Sequence, residues 1–415
     1  IDEFAVYDRE LTQAEVTRMF NTYFSPNRVA NGNFSQEGIE EITNGDFSQI
    51  GSELVTNGDF ATSSDWIFLG TTEISGGIAS FPDSTNSFLI QNFVVDLSVK
   101  NYKLTYEVVS TNGSNFRLAG GNSAFGTVTL DSATIGTKTA YITSNATKQN
   151  LQFNNNNFVG SIDNVSLKEV GQDWTVTGTD STHYVEFLST GARFVSDTTS
   201  PVLELKQNAI TSGKQYVLTC NVAYTGAGQL RVNVGTNLTA FTEGANTRYF
   251  TATSSTMSFL RENANVDALL SNVSVKEVGQ HWTLNGTATI SDGKAHINSP
   301  SGELAEITQT GSLVIGRNYR LTCDLDKTSG DTQFVNGGTF ILADGFNTIN
   351  FTANSTNVYF KRGAGSVISS LDNIVVQELK HDATNLMLNA GAYQSANPLI
   401  TSTKSMEFDG SDDYL

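Results

Sequence analysis

Apolar side chains alternate with polar ones along most of the chain. The period of two is clearest in Tyr102-Leu104-Tyr106-Val108 and in Tyr216-Leu218-Cys220-Val222, as half-buried strands require. Similar runs rich in Val, Ile, Thr, Tyr and Phe occur at 88–95, 137–143, 230–234, 247–253, 347–351 and 358–361, separated by clusters of Gly, Asn, Ser and Asp. The pattern predicts an all-β protein built of β-sandwiches. One stretch differs. Thr12-Gln13-Ala14-Glu15 is a capping box, and Ala14, Val16, Met19, Phe20 and Tyr23 form the apolar set behind it. One short helix is expected there, ending near Asn21 ahead of Pro26.

The strand pattern is written three times. NVSLKEVGQDWT (164–175) returns as NVSVKEVGQHWT (272–283), with ten of twelve positions identical and an offset of 108. Trp66, Trp174 and Trp282, the only tryptophans, keep the same offset of 108. Each unit also has an internal landmark (YKLTY from Tyr102, YVLTC from Tyr216, YRLTC from Tyr319) and a closing strand (IDNVSLKEV, LSNVSVKEV, LDNIVVQEL). Three homologous modules are expected, at 53–171, 172–279 and 280–380, each the size of an independent domain. The joints, Glu169-Val170-Gly171-Gln172 and Glu277-Val278-Gly279-Gln280, contain no flexible spacer, so the modules are expected to stand in an elongated row with restricted bending.

A shorter repeat precedes the modules. Asn31-Gly32-Asn33-Phe34, Asn44-Gly45-Asp46-Phe47 and Asn57-Gly58-Asp59-Phe60 follow one another at a step of 13. Only the third is followed directly by a module. Residues 29–52 are therefore expected to be a linker, with its two copies as remnants of duplicated opening strands.

Charge narrows the choice of partners. The chain carries 24 basic and 42 acidic side chains, a formal charge of −18, and its basic residues do not cluster, which excludes a nucleic-acid partner. No apolar run approaches the length of a membrane span. Cys220 and Cys323 occupy equivalent strand positions of two successive modules, too far apart to bridge, and are expected to be free, buried and inert. The chain opens on Ile1-Asp2-Glu3-Phe4, without an initiator Met or a signal peptide, as expected of a slice of something longer.

Catalytic chemistry finds little support. His183, His281, His296 and His381 are scattered without ligand spacing, and no G-x-S-x-G, P-loop or G-x-G-x-x-G occurs. Asp409-Gly410-Ser411-Asp412-Asp413 begins like a calcium loop, but Tyr414 stands where an EF-hand needs Gly. It reads as a hairpin turn. Non-enzymatic function is expected. The sequons at Asn145, Asn237 and Asn354 follow from an Asn-, Ser- and Thr-rich composition.

A module that opens on TNGDF, places a Trp a few residues on and closes on IDNVSL resembles the carbohydrate-binding modules of families 4, 9 and 22. That resemblance implies a β-jelly-roll. It also implies a structural calcium tying the opening strand to the closing one, held by Asp59 and Asp163 in the first module. Ala61 stands where a further acidic ligand belongs, and Ser271 replaces the closing Asp of the second module. Without an ion, the same two residues read as a turn Asp and a strand-end Asp. Three tryptophans in one phase suit a core anchor. Sugar stacking would then fall to out-of-phase aromatics, with Tyr184, Tyr224, Phe241 and Tyr359 as candidates.

Both ends resemble another family. Residues 1–21 (IDEFAVYDRELTQAEVTRMFN) look like the last strand and helix of a laminin-G-like sandwich, and residues 405–415 (SMEFDGSDDYL) look like the first strands of a second one. The partial sandwiches would occupy 1–28 and 381–415. Phe4, Val6, Met406 and Phe408 are expected to find apolar partners there. The whole arrangement is similar to tail-fibre and appendage proteins of marine bacteriophages. It implies a structural and adhesion role on a virion surface, with host-cell glycans and other virion subunits, including copies of itself, as partners. Two alternatives stay open: the substrate-targeting region of a secreted polysaccharide-degrading enzyme, and a bacterial surface adhesin.

Overall fold

The computed structural model describes residues 10–14, 16, 25–92, 100–145, 147–180, 182–197, 200–226, 228–262 and 265–379. The expectations for 1–9, for most of the helix and for 380–415 lie outside them. Of the helix, Gln13, Ala14 and Val16 are helical, and Val16 N–H donates to Thr12 O at 3.0 Å.

The chain divides into two compact units. One is Glu37–Val278; the other combines the chain up to Gln36 with the chain from Gly279 on. Glu37–Val278 holds two sandwiches. In the first, one sheet has the order Gly136–Thr143, Asn101–Thr111, Gly160–Val170, Ile78–Phe81, Glu73–Ser75, and the facing sheet runs Ile67–Leu69, Phe88–Gln91, Leu151–Asn154, Arg117–Leu118, Val128–Thr129. In the second, Tyr184–Leu188, Gly191–Ser196, Val266–Val278, Gln215–Tyr224 and Gly244–Thr251 face Thr175–Thr177, Glu204–Asn208, Thr256–Arg261 and Leu230–Asn233. The other unit repeats the plan, with Thr289–Ser291, Lys294–Ser299, Val367–Glu378, Asn318–Ser329 and Gly345–Thr352 facing Thr283–Gly286, Ala305–Gln309, Val358–Arg362, Thr332–Val335 and Thr339–Ile341. The chain alternates between facing antiparallel sheets, so each sandwich is a jelly roll. Buried alternate positions such as Tyr319, Leu321, Cys323 and Leu325 supply the cores.

The segment from 25 to 60 is where expectation and structure part. Residues 29–52 are not a linker, and the copies at Asn31 and Asn44 are not remnants. Ile50–Glu53 pairs with Gly160–Val170 of the first jelly roll, whereas Glu37–Glu40 pairs with Val266–Val278 of the second. Ser25 N–H and Arg28 N–H donate to Glu378 O and Val376 O of the third. Each Asn-Gly-Asx-Phe copy thus opens its own jelly roll, in reverse order: the copy at Asn57 serves the first body, Asn44 the second and Asn31 the third. The domains are nested, so that the outer two are discontinuous in sequence. Equal spacing along the chain marks both repeats but not which members pair.

The first two jelly rolls are consequently joined by two chain crossings, one near Gln49 and one near Gly171. With its amide oriented to satisfy both neighbours, the Gln172 carboxamide staples the joint, its nitrogen 2.7 Å from Gln49 O and its oxygen 3.0 Å from Gly51 N. Asn101 Nδ2 donates to Trp174 O at 3.1 Å, and Tyr141 packs against the second core. The nesting predicts an effect at long range in sequence. A chain shortened to begin at Glu37 should lose hydrogen-exchange protection in Asn318–Ser329 and Val367–Glu378, near the opposite terminus, and keep it in Asn101–Thr111 and Gln215–Tyr224. Unchanged protection in the third body would disprove the pairing.

Candidate functional site

Among the described residues, the most elaborate constellation is the dock that receives each opening segment, and it is built three times. Asn31, Asn44 and Asn57 adopt φ of 48°, 50° and 51°, and Phe34, Phe47 and Phe60 adopt 52°, 60° and 48°. Asn tolerates this left-handed region better than most residues, whereas for Phe the conformation is strained and must be held by its surroundings. Each Phe N–H donates to the Asn carbonyl three residues back, at 3.1–3.2 Å. The intervening Gly has no alternative. A Cβ on Gly32, Gly45 or Gly58 would lie 2.1, 2.0 or 1.9 Å from the carbonyl oxygen of Ile374, Val273 or Val165.

That closeness has a purpose in the hydrogen bonding. The closing strand of each body carries a bulge at Asn164, Asn272 or Asn373, whose φ of 49°, 52° and 50° is again left-handed. The bulge turns the next N–H out of the ladder, and Val165, Val273 and Ile374 donate instead to Gly58 O, Gly45 O and Gly32 O at 2.8, 2.9 and 2.9 Å.

Side chains complete the dock. The indole N–H of Trp66, Trp174 and Trp282 donates to the carbonyl of Asn57, Asn44 and Asn31 at 3.0, 2.9 and 3.1 Å. The three indoles are only 5%, 4% and 7% exposed, and each packs on the Phe of its opening segment at 5.2–5.4 Å between ring centroids. A glutamine clamps both backbone groups of the residue before the Asn: Gln91 on Thr56, Gln207 on Thr43 and Gln309 on Ala30. The glutamines escape a sequence scan because they follow their tryptophans at no constant distance. The buried amides of the three glutamines are thereby satisfied.

Asp59 belongs to this architecture. Its Oδ1 accepts Ala61 N–H at 3.3 Å, as Asp46 Oδ1 accepts Ser48 N–H at 3.1 Å and Asn33 Oδ1 accepts Ser35 N–H at 3.4 Å. Hydrogen bonds from Ser48, its hydroxyl foremost, hold the Asp46 carboxyl below its ordinary value. Asp163 Oδ1 accepts Asn164 N–H at 2.6 Å, a contact Asp372 repeats with Asn373. Among the described residues, no three His, Cys, Asp or Glu side chains gather as metal ligands. Asp59 lies in the turn of its opening segment and Asp163 in the closing strand, and each carboxylate is bonded to a nearby backbone N–H.

The aromatic candidates separate by burial. Phe241 is fully buried and stacks within the core near Phe259, so its assignment as a sugar platform is corrected: a face inside the core meets no ligand. Tyr224 is half-buried, its hydroxyl donating to Phe241 O at 3.1 Å and accepting Leu230 N–H at 3.0 Å, a clamp between strands. Tyr184 lies on the outer side of its sheet, two residues along the strand from Glu186 of the Glu186–Arg193–Asp267 ion pairs. Tyr359 alternates with the buried Val358 and Phe360 and therefore points outward, its hydroxyl bonded to Glu306 Oε1. Burial, then that carboxylate, raises its pKa.

The described cysteines and histidines are scattered through the modules. Cys220 and Cys323 are free and buried, and burial pushes both thiols up to about 12. His183 is buried with Nδ1 2.8 Å from Asp180 Oδ1. His296 Nε2 lies 2.9 Å from Ser291 Oγ. His281 occupies the φ 75° position just before Trp282.

No family model and no curated protein matches the chain. Solved structures that resemble it include the N-terminal CBM22-1–CBM22-2 tandem domain of Xyn10C from Paenibacillus barcinonensis, with 10% identity over 50% of this chain and 94% of that one and a TM-score of 0.22. The structure of Sulfolobus Turreted Icosahedral Virus matches with 12% identity over 75% and 89% and a TM-score of 0.24. An archaeal-virus structure described as a triple jelly roll fold and turret assembly matches with 10% identity over 76% and 89% and a TM-score of 0.25.

The local role of Asp163 leads to a direct test. Asp163→Ala should lower the melting temperature of the first jelly roll by the same few degrees with calcium and with chelator, as loss of one hydrogen bond at a bulge implies. A loss confined to calcium-containing buffer would assign Asp163 to an ion site.

Proposed function

We propose that the chain is a non-enzymatic structural and adhesion protein, a fibre or appendage component on a virion surface, whose jelly rolls are displayed towards host-cell glycans. The observation that carries the adhesive part is the outer face around Tyr359. Thr308 pairs with Tyr359, and Glu306 and Gln333 pair with Lys361 across adjacent strands. An aromatic ring, a carboxylate, an amide and an ammonium group thus share one side of a rigid sheet. A sugar ring needs this mixture, with its C–H face on the aromatic and its hydroxyls on the polar groups. The structural part is supported by the docks, in which the recurring aromatic and amide side chains hold segments of the protein itself.

A glycan array with the whole chain tests the proposal. Binding to at least one surface polysaccharide is expected. Tyr359→Ala should weaken it about tenfold or more, the usual effect of removing a stacking ring at a binding hot spot, with little change in melting temperature. Wild-type binding by Tyr359→Ala would move the contact elsewhere, and an array without any signal would leave the chain as a spacer.

A further inference from the structure

The nested order poses a sorting problem. Three opening segments precede three bodies, and two of the segments share the identical Thr-Asn-Gly-Asp-Phe. The Trp, Phe, Gly and Gln contacts are the same in all three docks and cannot distinguish one segment from another. Something else must reject a wrong partner.

We propose that the docks are segment-recognition sites sorted by the two residues that lie two and three positions before the Thr or Ala of the clamp. The first of these positions is Glu53, Glu40 and Asn27. Glu53 Oε1 accepts Leu167 N–H at 2.8 Å while its Oε2 accepts the Ser166 hydroxyl at 2.5 Å. Glu40 repeats both contacts, with Val275 N–H at 2.7 Å and the Ser274 hydroxyl at 2.5 Å. In the third jelly roll the serine position is Val375, and the segment carries the shorter, neutral Asn27, whose Oδ1 accepts Val376 N–H at 2.9 Å and Val29 N–H at 3.0 Å. Glu goes with Ser twice, and Asn goes with Val once. A glutamate placed against the third body would set its second oxygen on the Val375 methyls, without the donor that Ser166 or Ser274 provides.

The neighbouring position, Leu54, Glu41 and Arg28, acts in the same direction. Arg28 Nη2 pairs with Glu378 Oε2 at 2.8 Å, the same glutamate whose other oxygen meets Arg317 at 2.6 Å. Glu169 and Glu277, at the matching place of the other two closing strands, are met by Lys100 at 3.0 Å and Lys214 at 2.6 Å. The segment at 37–47 would bring Glu41 to the place of Arg28, setting like charge beside Glu378. The third body therefore rejects both inner segments, whereas the inner two, alike at the Glu and the Thr-Asn-Gly-Asp-Phe, are exchangeable.

A double-mutant cycle on the whole chain tests the code. Asn27→Glu should raise the hydrogen-exchange opening constant at Ile374 and Val376 about tenfold or more, the lower end for a charged group losing its donor. Adding Val375→Ser should recover most of that loss. The reciprocal cycle reads the second jelly roll: Ser274→Val should raise opening at Val273 and Val275, and Glu40→Asn in the same chain should recover it. If the third jelly roll of the Asn27→Glu chain does not fold, the reciprocal cycle decides. Recovery in the double variant is the expected result. Additive losses would overturn the proposal and leave the shared Asn-Gly-Asx-Phe contacts as the whole of the recognition.

Discussion

The fold rests on one close approach of backbone to backbone, the Gly32, Gly45 or Gly58 carbonyl accepting the N–H that a bulge has released from the closing strand. No residue with a Cβ fits there. Two strained left-handed residues flank each glycine, and strain of that kind persists only where surrounding contacts outweigh it. Here the indole N–H, the buried Phe ring and the glutamine clamp supply those contacts. Remove the close approach and three consequences follow together: the bulge N–H loses its acceptor, the Trp loses its ring partner, and the opening strand loses its place at the sheet edge.

Nesting would appear to burden folding, since Asn31 and Ile374 lie far apart in sequence and long loops close slowly. The pairing order removes most of that burden. Once the first jelly roll forms, Ile50 stands opposite Val170, which brings the segment ending at Gln49 beside the chain leaving at Gly171. The second jelly roll then pairs Glu37 with Val278, and Gln36 and Gly279 follow directly in the chain. Each folded body clips together the two ends of the next loop, so the effective loop at every stage is about the length of a single module.

Much of this was legible in the sequence, and the limit is physical. The alternation in 102–108 and 216–222 and the 108-residue phase of the tryptophans gave the sandwiches and their number, because strand period and core burial are local properties. The 13-residue step marked the opening segments equally well. Their pairing was hidden, because a repeat shows that segments are alike and alike segments fit the same dock. What distinguishes them is a pair of residues, such as Asn27 and Val375, whose relation exists only in space. Phe241 misled for a related reason: falling out of phase with the other modules looked like function, when its ring is a buried part of one body's core.

The order of repeats also constrains how such a chain arises. Tandem duplication of a whole module gives opening segment, body, opening segment, body. The observed order is three segments followed by three bodies, which results when a complete module is inserted between the opening segment and the body of another. Insertion there is tolerated because the two chain ends of a module lie side by side, as Ile50 and Val170 do in the first and Ser25 and Glu378 do in the third, where Ser25 N–H donates to Glu378 O at 3.0 Å. Adjacent ends let an inserted domain fold without stretching its host. The geometry that makes the docks necessary is therefore the geometry that lets modules be added one inside another, and each addition brings one more near-identical segment that a residue pair of the Asn27–Val375 kind must keep from the wrong body.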